Sequence, residues 1–112
     1  MKGLSPRGKR ILAPTTVDLM RTNRLTEEMR KTFDWEALAG YGYGLGVRTL
    51  IDKALAGSPS SLGEFGWTGA AGAYMLIDPE RELSLFYAHH MLNNQEAYTT
   101  PRLRNVLYSC LD

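Results

Sequence analysis

One cysteine, Cys110, is all the chain has, so no disulfide can form within it and the fold rests on packing alone. Cys110 lies in an apolar run and reads as a buried structural thiol. Long hydrophobic runs are missing too. Nothing approaches the ~20 apolar residues of a membrane-spanning helix. The opening Met1-Lys2-Gly3-Leu4-Ser5-Pro6 has no apolar core of the kind a secretory leader needs, which leaves the compartment open. Charge of one sign is also lacking: 13 Lys and Arg stand against 12 Asp and Glu, a formal +1. That balance gives no field to draw in nucleic acid or an anionic membrane, and neither is expected as a partner. Lys2, Arg7, Lys9 and Arg10 cluster mildly, but no aromatics alternate with them, and they read as solvated surface. His89-His90 is not joined by a Cys or carboxylate at ligand spacing, and neighbours on a strand point to opposite faces, so no metal is expected. The glycine rhythm of Tyr41–Gly46 is not a dinucleotide fingerprint, and no cofactor is expected.

What is present is an ordinary globular composition, 44% hydrophobic and 22% charged over 112 residues, enough for one domain or part of one. After a turn at Ser5-Pro6-Arg7-Gly8, Lys9–Leu12 reads as extended. Pro14 suits the first position of a helix whose short apolar face is Val17, Leu19 and Met20. A second helix is expected over Thr26–Phe33, capped by Thr26, with Glu27 and Glu28 at its positive end. Tyr41–Val47 alternates large residues with glycine and reads as a strand with one bare face, the kind of face another backbone or a ligand approaches closely. The rings of Tyr41 and Tyr43 are expected to cover a core edge. Residues 54–63 read as a loop and Glu64–Thr68 as a strand.

The C-terminal portion is clearest. Ala73–Ile77 and Glu82–Ala88 flank Asp78-Pro79-Glu80-Arg81, a turn with Pro79 where φ must be fixed, and form a hairpin. After a loop at Asn93-Asn94-Gln95, Thr100-Pro101 is expected to open a helix buried along Leu103, Val106, Leu107, Cys110 and Leu111. The fold class is therefore α+β: an antiparallel sheet with flanking helices.

Three stretches, in this order, carry a resemblance. Gly8-Lys9-Arg10-Ile11-Leu12-Ala13-Pro14-Thr15-Thr16-Val17 comes first, then Tyr43-Gly44-Leu45-Gly46. The third is Trp67-Thr68-Gly69, followed by an apolar strand and Asp78-Pro79-Glu80-Arg81-Glu82-Leu83. Together they resemble the C-terminal portion of the serine β-lactamase-like family, which includes class C β-lactamases, penicillin-binding proteins and related esterases. The resemblance implies the C-terminal part of a β-lactamase/transpeptidase-like fold, with residues 1–112 a single partial domain. It also implies a hydrolase chemistry of covalent acyl transfer to a serine from a β-lactam, peptide or ester. In that chemistry the serine of Ser-x-x-Lys attacks the carbonyl, and the lysine one helical turn on takes part in removing its proton. A third motif lines the far wall of the pocket.

The first two motifs are not in this chain. Three places after Ser5, Ser58, Ser60, Ser61, Ser84 and Ser109 stand Gly8, Ser61, Gly63, Glu64, Tyr87 and Asp112, none of them lysine. No tyrosine is followed two places on by asparagine. The resemblance carries over only to the wall: Trp67 stands where lysine is usual, Thr68 and Gly69 match, and the N–H of Ala70 would serve the oxyanion. Tryptophan in place of lysine removes the charge that meets a β-lactam carboxylate and favours esters. The same residues also allow a purely structural reading, Trp67 as an aromatic anchor and Gly69 as a bend.

Met1-Lys2-Gly3 resembles the end of a helix, so a fragment is expected, inactive alone. Its partner would be either the missing N-terminal half or a second copy joined through an open sheet edge. The alternative is a non-catalytic binding or oligomerisation module derived from the same fold.

Overall fold

Where the sequence alternates with period two, the chain forms one sheet. The computed structural model describes residues 3–93 and 95–111. Its strands are β1 (Tyr41–Tyr43), β2 (Arg48–Leu50), β3 (Phe65–Thr68), β4 (Tyr74–Asp78) and β5 (Leu83–Tyr87). They form an antiparallel meander in the order β1-β2-β3-β4-β5. The helices are α1 (Pro14–Met20), α2 (Glu27–Arg30), α3 (Lys53–Ala56) and α4 (Glu96–Ser109), with one 3-10 turn at Glu36–Leu38. The expected α+β class with an antiparallel sheet is what forms. The reading of Met1-Lys2 as a helix end, and Asn94 of the expected loop, lie outside the described residues.

The β4–β5 hairpin forms where its turn residues place it. Asp78 Oδ1 accepts from the backbone N–H groups of Glu80 (3.1 Å) and Arg81 (3.2 Å), an Asx-type closure, while Glu82 takes the left-handed conformation at φ 51°. Register puts Arg48, Gly66, Leu76 and Leu85 on one face and Thr49, Phe65, Ile77 and Ser84 on the other. The first face is closed by α4: Tyr108 packs with Tyr74 and Leu76, and Leu103, Leu107, Leu83 and Leu85 surround them. Burial of a side chain such as Leu76, which is fully enclosed, contributes about 1.5–3 kcal/mol. The second face is covered only partly by α1, in which no residue is fully buried.

Several expectations are corrected. Tyr41–Val47 is not one strand. The chain turns at Gly44–Val47, closed by Gly44 N–H to Val47 O at 2.8 Å, and returns as β2. The bare face is real, however: a Cβ at Gly42 would meet the Asn23 side chain, and one at Gly44 the Met20 carbonyl. Residues 54–56 of the expected loop belong instead to α3, because Asp52 caps it by accepting from Leu55 N–H (2.9 Å) and Gly57 ends it in the left-handed conformation. The second helix is shorter than expected, though Thr26 does cap it, accepting from Met29 N–H at 3.2 Å. Lys9–Leu12 contributes only an isolated bridge, Leu4 to Arg10.

The terminal helix starts at Glu96, not at Thr100, and holds Pro101 within it. Its buried positions are Thr100, Arg104 and Tyr108, spaced by four, flanked by Leu103 and Leu107; Val106 points outward and Cys110 is exposed rather than buried. The aromatic Tyr108 and the long Arg104 side chain reach polar partners on the sheet, and that rotates the helix away from the face that hydrophobicity alone would choose.

Candidate functional site

Trp67 and Thr68 end the middle strand of the sheet. On one side they pair with Met75 and Tyr74 of β4; on the other, the ladder with β2 stops at Arg48–Gly66. The chain then turns tightly. Gly69 N–H donates to Ala73 O (2.9 Å) and Gly72 N–H to Gly69 O (2.8 Å), while Met91 N–H donates to Ala71 O (3.0 Å) and ties the turn to the segment after β5. The sequence-derived wall residues Trp67, Thr68, Gly69 and Ala70 thus sit together on one strand end and the turn that follows it.

Each has a distinct environment. The Trp67 ring meets Tyr43 edge-on, with centroids 5.4 Å apart and planes at 74°, and Tyr43 in turn meets Phe33 at 5.7 Å. Trp67 is therefore an aromatic anchor, whatever else it does. Neighbouring strand residues face opposite sides, and Thr68 accordingly points toward α4, where its hydroxyl donates a hydrogen bond to Glu96 Oε1. At Gly69 a Cβ would meet open space, and its φ is not left-handed, so neither crowding nor backbone geometry within the chain demands glycine there. Gly69 does open the tight turn, as a bend there requires, without steric crowding that would demand glycine. Ala70 is exposed.

A second polar group, which the sequence reading did not single out, is enclosed between the sheet and α4. Glu64 Oε1 meets Arg48 Nη2 at 3.3 Å, and its Oε2 accepts from the Tyr41 hydroxyl at 2.8 Å; Arg104 Nη1 donates to that same hydroxyl at 2.6 Å. The Arg48 guanidinium also lies over the rings of Tyr41 (4.9 Å) and Tyr74 (5.1 Å). Beside it, Asp78 Oδ2 accepts from Tyr108 Oη (2.5 Å) and Ser61 N–H (3.0 Å), and the Ser58 hydroxyl donates to that of Ser60 (2.9 Å).

Burial raises the Glu64 carboxyl above its ordinary value, against the pull of Arg48. Burial raises the Tyr74 hydroxyl to about 12 and lifts Tyr41 further. For Asp78, burial acts upward, but the bonds from Tyr108, Ser61 and Arg81 outweigh it and the carboxyl is lowered. None of these groups is open to a substrate: Glu64, Asp78 and Ser60 have no exposed surface at all. They hold the sheet to α4. Their signal in the sequence was a charge interrupting each of two strand regions, at Arg48 and Glu64, together with Arg104 and Tyr108 one helical turn apart.

Comparison with known proteins bears on what this arrangement serves. A family model described as Beta-lactamase matches residues 3–108. Protein Rv1367c of Mycobacterium tuberculosis strain H37Rv, and the uncharacterized protein MT1414 of strain CDC 1551, are each 39% identical to this chain over 85 residues; the match covers 71% of this chain and 21% of theirs. Among solved structures, "EstCE1, a hydrolase with promiscuous acyltransferase activity" superposes with a TM-score of 0.73 at 26% identity, covering 90% of this chain and 26% of that one. The chain thus spans about a fifth of the length of the curated relatives it matches.

Proposed function

The chain belongs to the β-lactamase family, and from that premise we propose that it supplies one wall of a serine acyl-transfer site whose nucleophile stands outside these 112 residues. The wall is Trp67, Thr68, Gly69 and Ala70. Its role is to face the acyl carbonyl: by the resemblance, the N–H of Ala70 would serve the oxygen that becomes negative as a tetrahedral intermediate forms. The serine and lysine of Ser-x-x-Lys then belong to a further segment, because no serine here has a lysine one turn away.

The observation that carries this reading is Gly69. It opens the turn after β3, which together with the strand end gathers Trp67, Thr68, Gly69 and Ala70 in one place within the span that the family model matches. Trp67, engaged on Tyr43, brings no cation to a substrate carboxylate, which favours an ester or other non-lactam substrate over a β-lactam. The hydrolase and acyltransferase description of EstCE1 is in keeping with that choice.

A second reading, an association module, is favoured by β5. Among the described residues this strand pairs with β4 on one side only, and the recesses on both of its faces are apolar. The two readings join if the segment bearing the nucleophile also supplies a strand to that edge.

The test is to offer the purified chain a p-nitrophenyl ester and a chromogenic β-lactam, alone and with a separately made family segment that carries Ser-x-x-Lys. Alone, no turnover above the buffer rate is expected. With the segment, ester hydrolysis appears and is lost on substitution of its serine. A stoichiometric acyl adduct on Ser5, Ser84 or any other serine of the isolated chain, found by mass spectrometry, overturns the reading.

A further inference from the structure

A hydroxyl has one proton, and where that proton goes decides what the oxygen can still recognise. The Thr68 proton goes to Glu96 Oε1. A carboxylate only accepts, so the direction of this bond is fixed, and Thr68 Oγ1 keeps only lone pairs for anything else. Glu96 is the first residue of α4 and is half-buried. It is delivered there by the chain after β5: Met91 is clamped to Ala71, and Asn93 and Gln95 both take left-handed conformations, at φ 57° and 53°, on the way into the helix. Glu96 takes part in neither the Arg21–Asp18 nor the Arg48–Glu64 ion pair. Its carboxylate is thus one hydrogen bond away from the wall hydroxyl.

We propose that Glu96 sets the substrate class of the Thr68 wall. It turns Thr68 into an acceptor, so that the wall takes acyl compounds presenting a hydrogen-bond donor (an ammonium, a hydroxyl or an amide N–H) and turns away those presenting a carboxylate. This rests on the wall reading above. A carboxylate placed against Thr68 would face a lone pair and, behind it, a second negative charge, with no proton between them. An ammonium or amide N–H in the same place completes the Thr68 oxygen and is drawn by Glu96 as well.

The experiment follows the backbone amides of residues 67–70 in a 15N-labelled full-length chain by NMR while phenylethylammonium, 3-phenylpropionamide and 3-phenylpropionate are titrated in. The ammonium and the amide are expected to shift these amides and to bind more tightly than the carboxylate, the ammonium by at least about tenfold, as one charge-assisted hydrogen bond gives, and the amide by about threefold or more, as a neutral one gives. In Glu96→Gln the charge is gone while the side chain can still meet Thr68, and the preference is expected to fall to within about threefold. Thr68→Val, which removes the acceptor, is expected to abolish the gain for the donor-bearing probes while the spectrum of the rest of the chain stays folded. If 3-phenylpropionate binds residues 67–70 of the wild type as tightly as the other two, the Glu96 proposal is wrong and the wall reading stands. If none of the three shifts those amides, the wall reading itself fails and this proposal falls with it. Should Glu96→Gln not fold, the wild-type ranking and Thr68→Val still decide.

Discussion

Glu64 is surrounded by Arg48, Tyr41 and, through that tyrosine, Arg104, without reaching solvent. Two guanidinium groups and one carboxylate share this space, and Arg48 Nη1 and Arg104 Nε have no hydrogen-bond partner there among the described residues. Deleting the carboxylate strands both cations. Glu64→Ala is expected to lower stability by about 3–5 kcal/mol, read as a fall in urea midpoint at unchanged slope. Ionisation gives a second, independent readout. Because burial raises the Glu64 carboxyl in the folded state, the folded chain holds that proton to higher pH than the unfolded chain does. The stability from this group is complete below the ordinary glutamate range and is lost as pH rises through the raised value. Asp78 works oppositely: its carboxyl is lowered, so its contribution is present above the ordinary aspartate range and is lost on acidification. Urea titrations across that range are expected to lose the Glu64 component, and keep the Asp78 component, in Glu64→Gln. An unchanged pH profile in that variant removes Glu64 as a titrating group.

At the level of elements, the β1–β2 hairpin depends on one close approach. Leu45 N–H donates to Met20 O (2.8 Å), and Arg24 N–H to Tyr43 O (2.8 Å), so the segment after α1 runs along the outer edge of β1 and covers it. Gly44 lies so near the Met20 carbonyl that a methyl group there would displace it. Gly44→Ala is expected to destabilise the chain by about 2 kcal/mol, with loss of hydrogen-exchange protection at Leu45 and Arg24. Gly69→Ala, where the methyl meets open space, is expected to stay within about 0.5 kcal/mol of wild type. A large loss at Gly69 would return that residue to a structural role.

The same elements show what could be read from the sequence and what could not. The β4–β5 hairpin was legible because Asp78-Pro79 and the flanking alternation act locally. So was the placement of Trp67 and Thr68 at the end of a strand. The β1–β2 turn was hidden because glycines at 42, 44 and 46 give the same period-two pattern whether the chain runs on or folds back; contacts with Asn23 and Met20, some twenty residues earlier, decide. The rotation of α4 was hidden for a like reason, since Arg104 and Tyr108 count as surface residues until Tyr41 and Asp78 are opposite them. Thr68–Glu96 joins positions 28 apart, which no local pattern announces.

For the whole molecule, the two sheet edges are unequal. The β1 edge is covered by residues 20–24, whereas β5 offers its outer side with no strand beside it among the described residues. Next to β5, on the α1 face, lies a recess of about 450 Å³ lined by Leu12, Val17, Phe65, Met75, Ile77 and Phe86; on the α4 face a smaller one is lined by Tyr87, Tyr98, Leu103 and Val106. Phe86 is 72% exposed and Val106 63%. An added strand places alternate side chains into the two recesses and pairs its backbone with β5 at once, which is how an open edge gains a partner. With no family segment present, a second copy is the strand at hand, and the five-residue β5 can pair with its own twofold mate antiparallel, Leu85 opposite Leu85. The isolated chain is therefore expected to pass from monomer to dimer with rising concentration in light scattering. Phe86→Lys puts a charge at the edge and in the mouth of the larger recess, and is expected to hold the chain monomeric without lowering its thermal midpoint by more than a few degrees. If the proposed segment carrying Ser-x-x-Lys takes the same edge, adding it is expected to break the dimer as hydrolysis appears. A wild-type chain that stays monomeric at every concentration, and binds the segment equally well with Lys at position 86, would place the interface elsewhere than on β5.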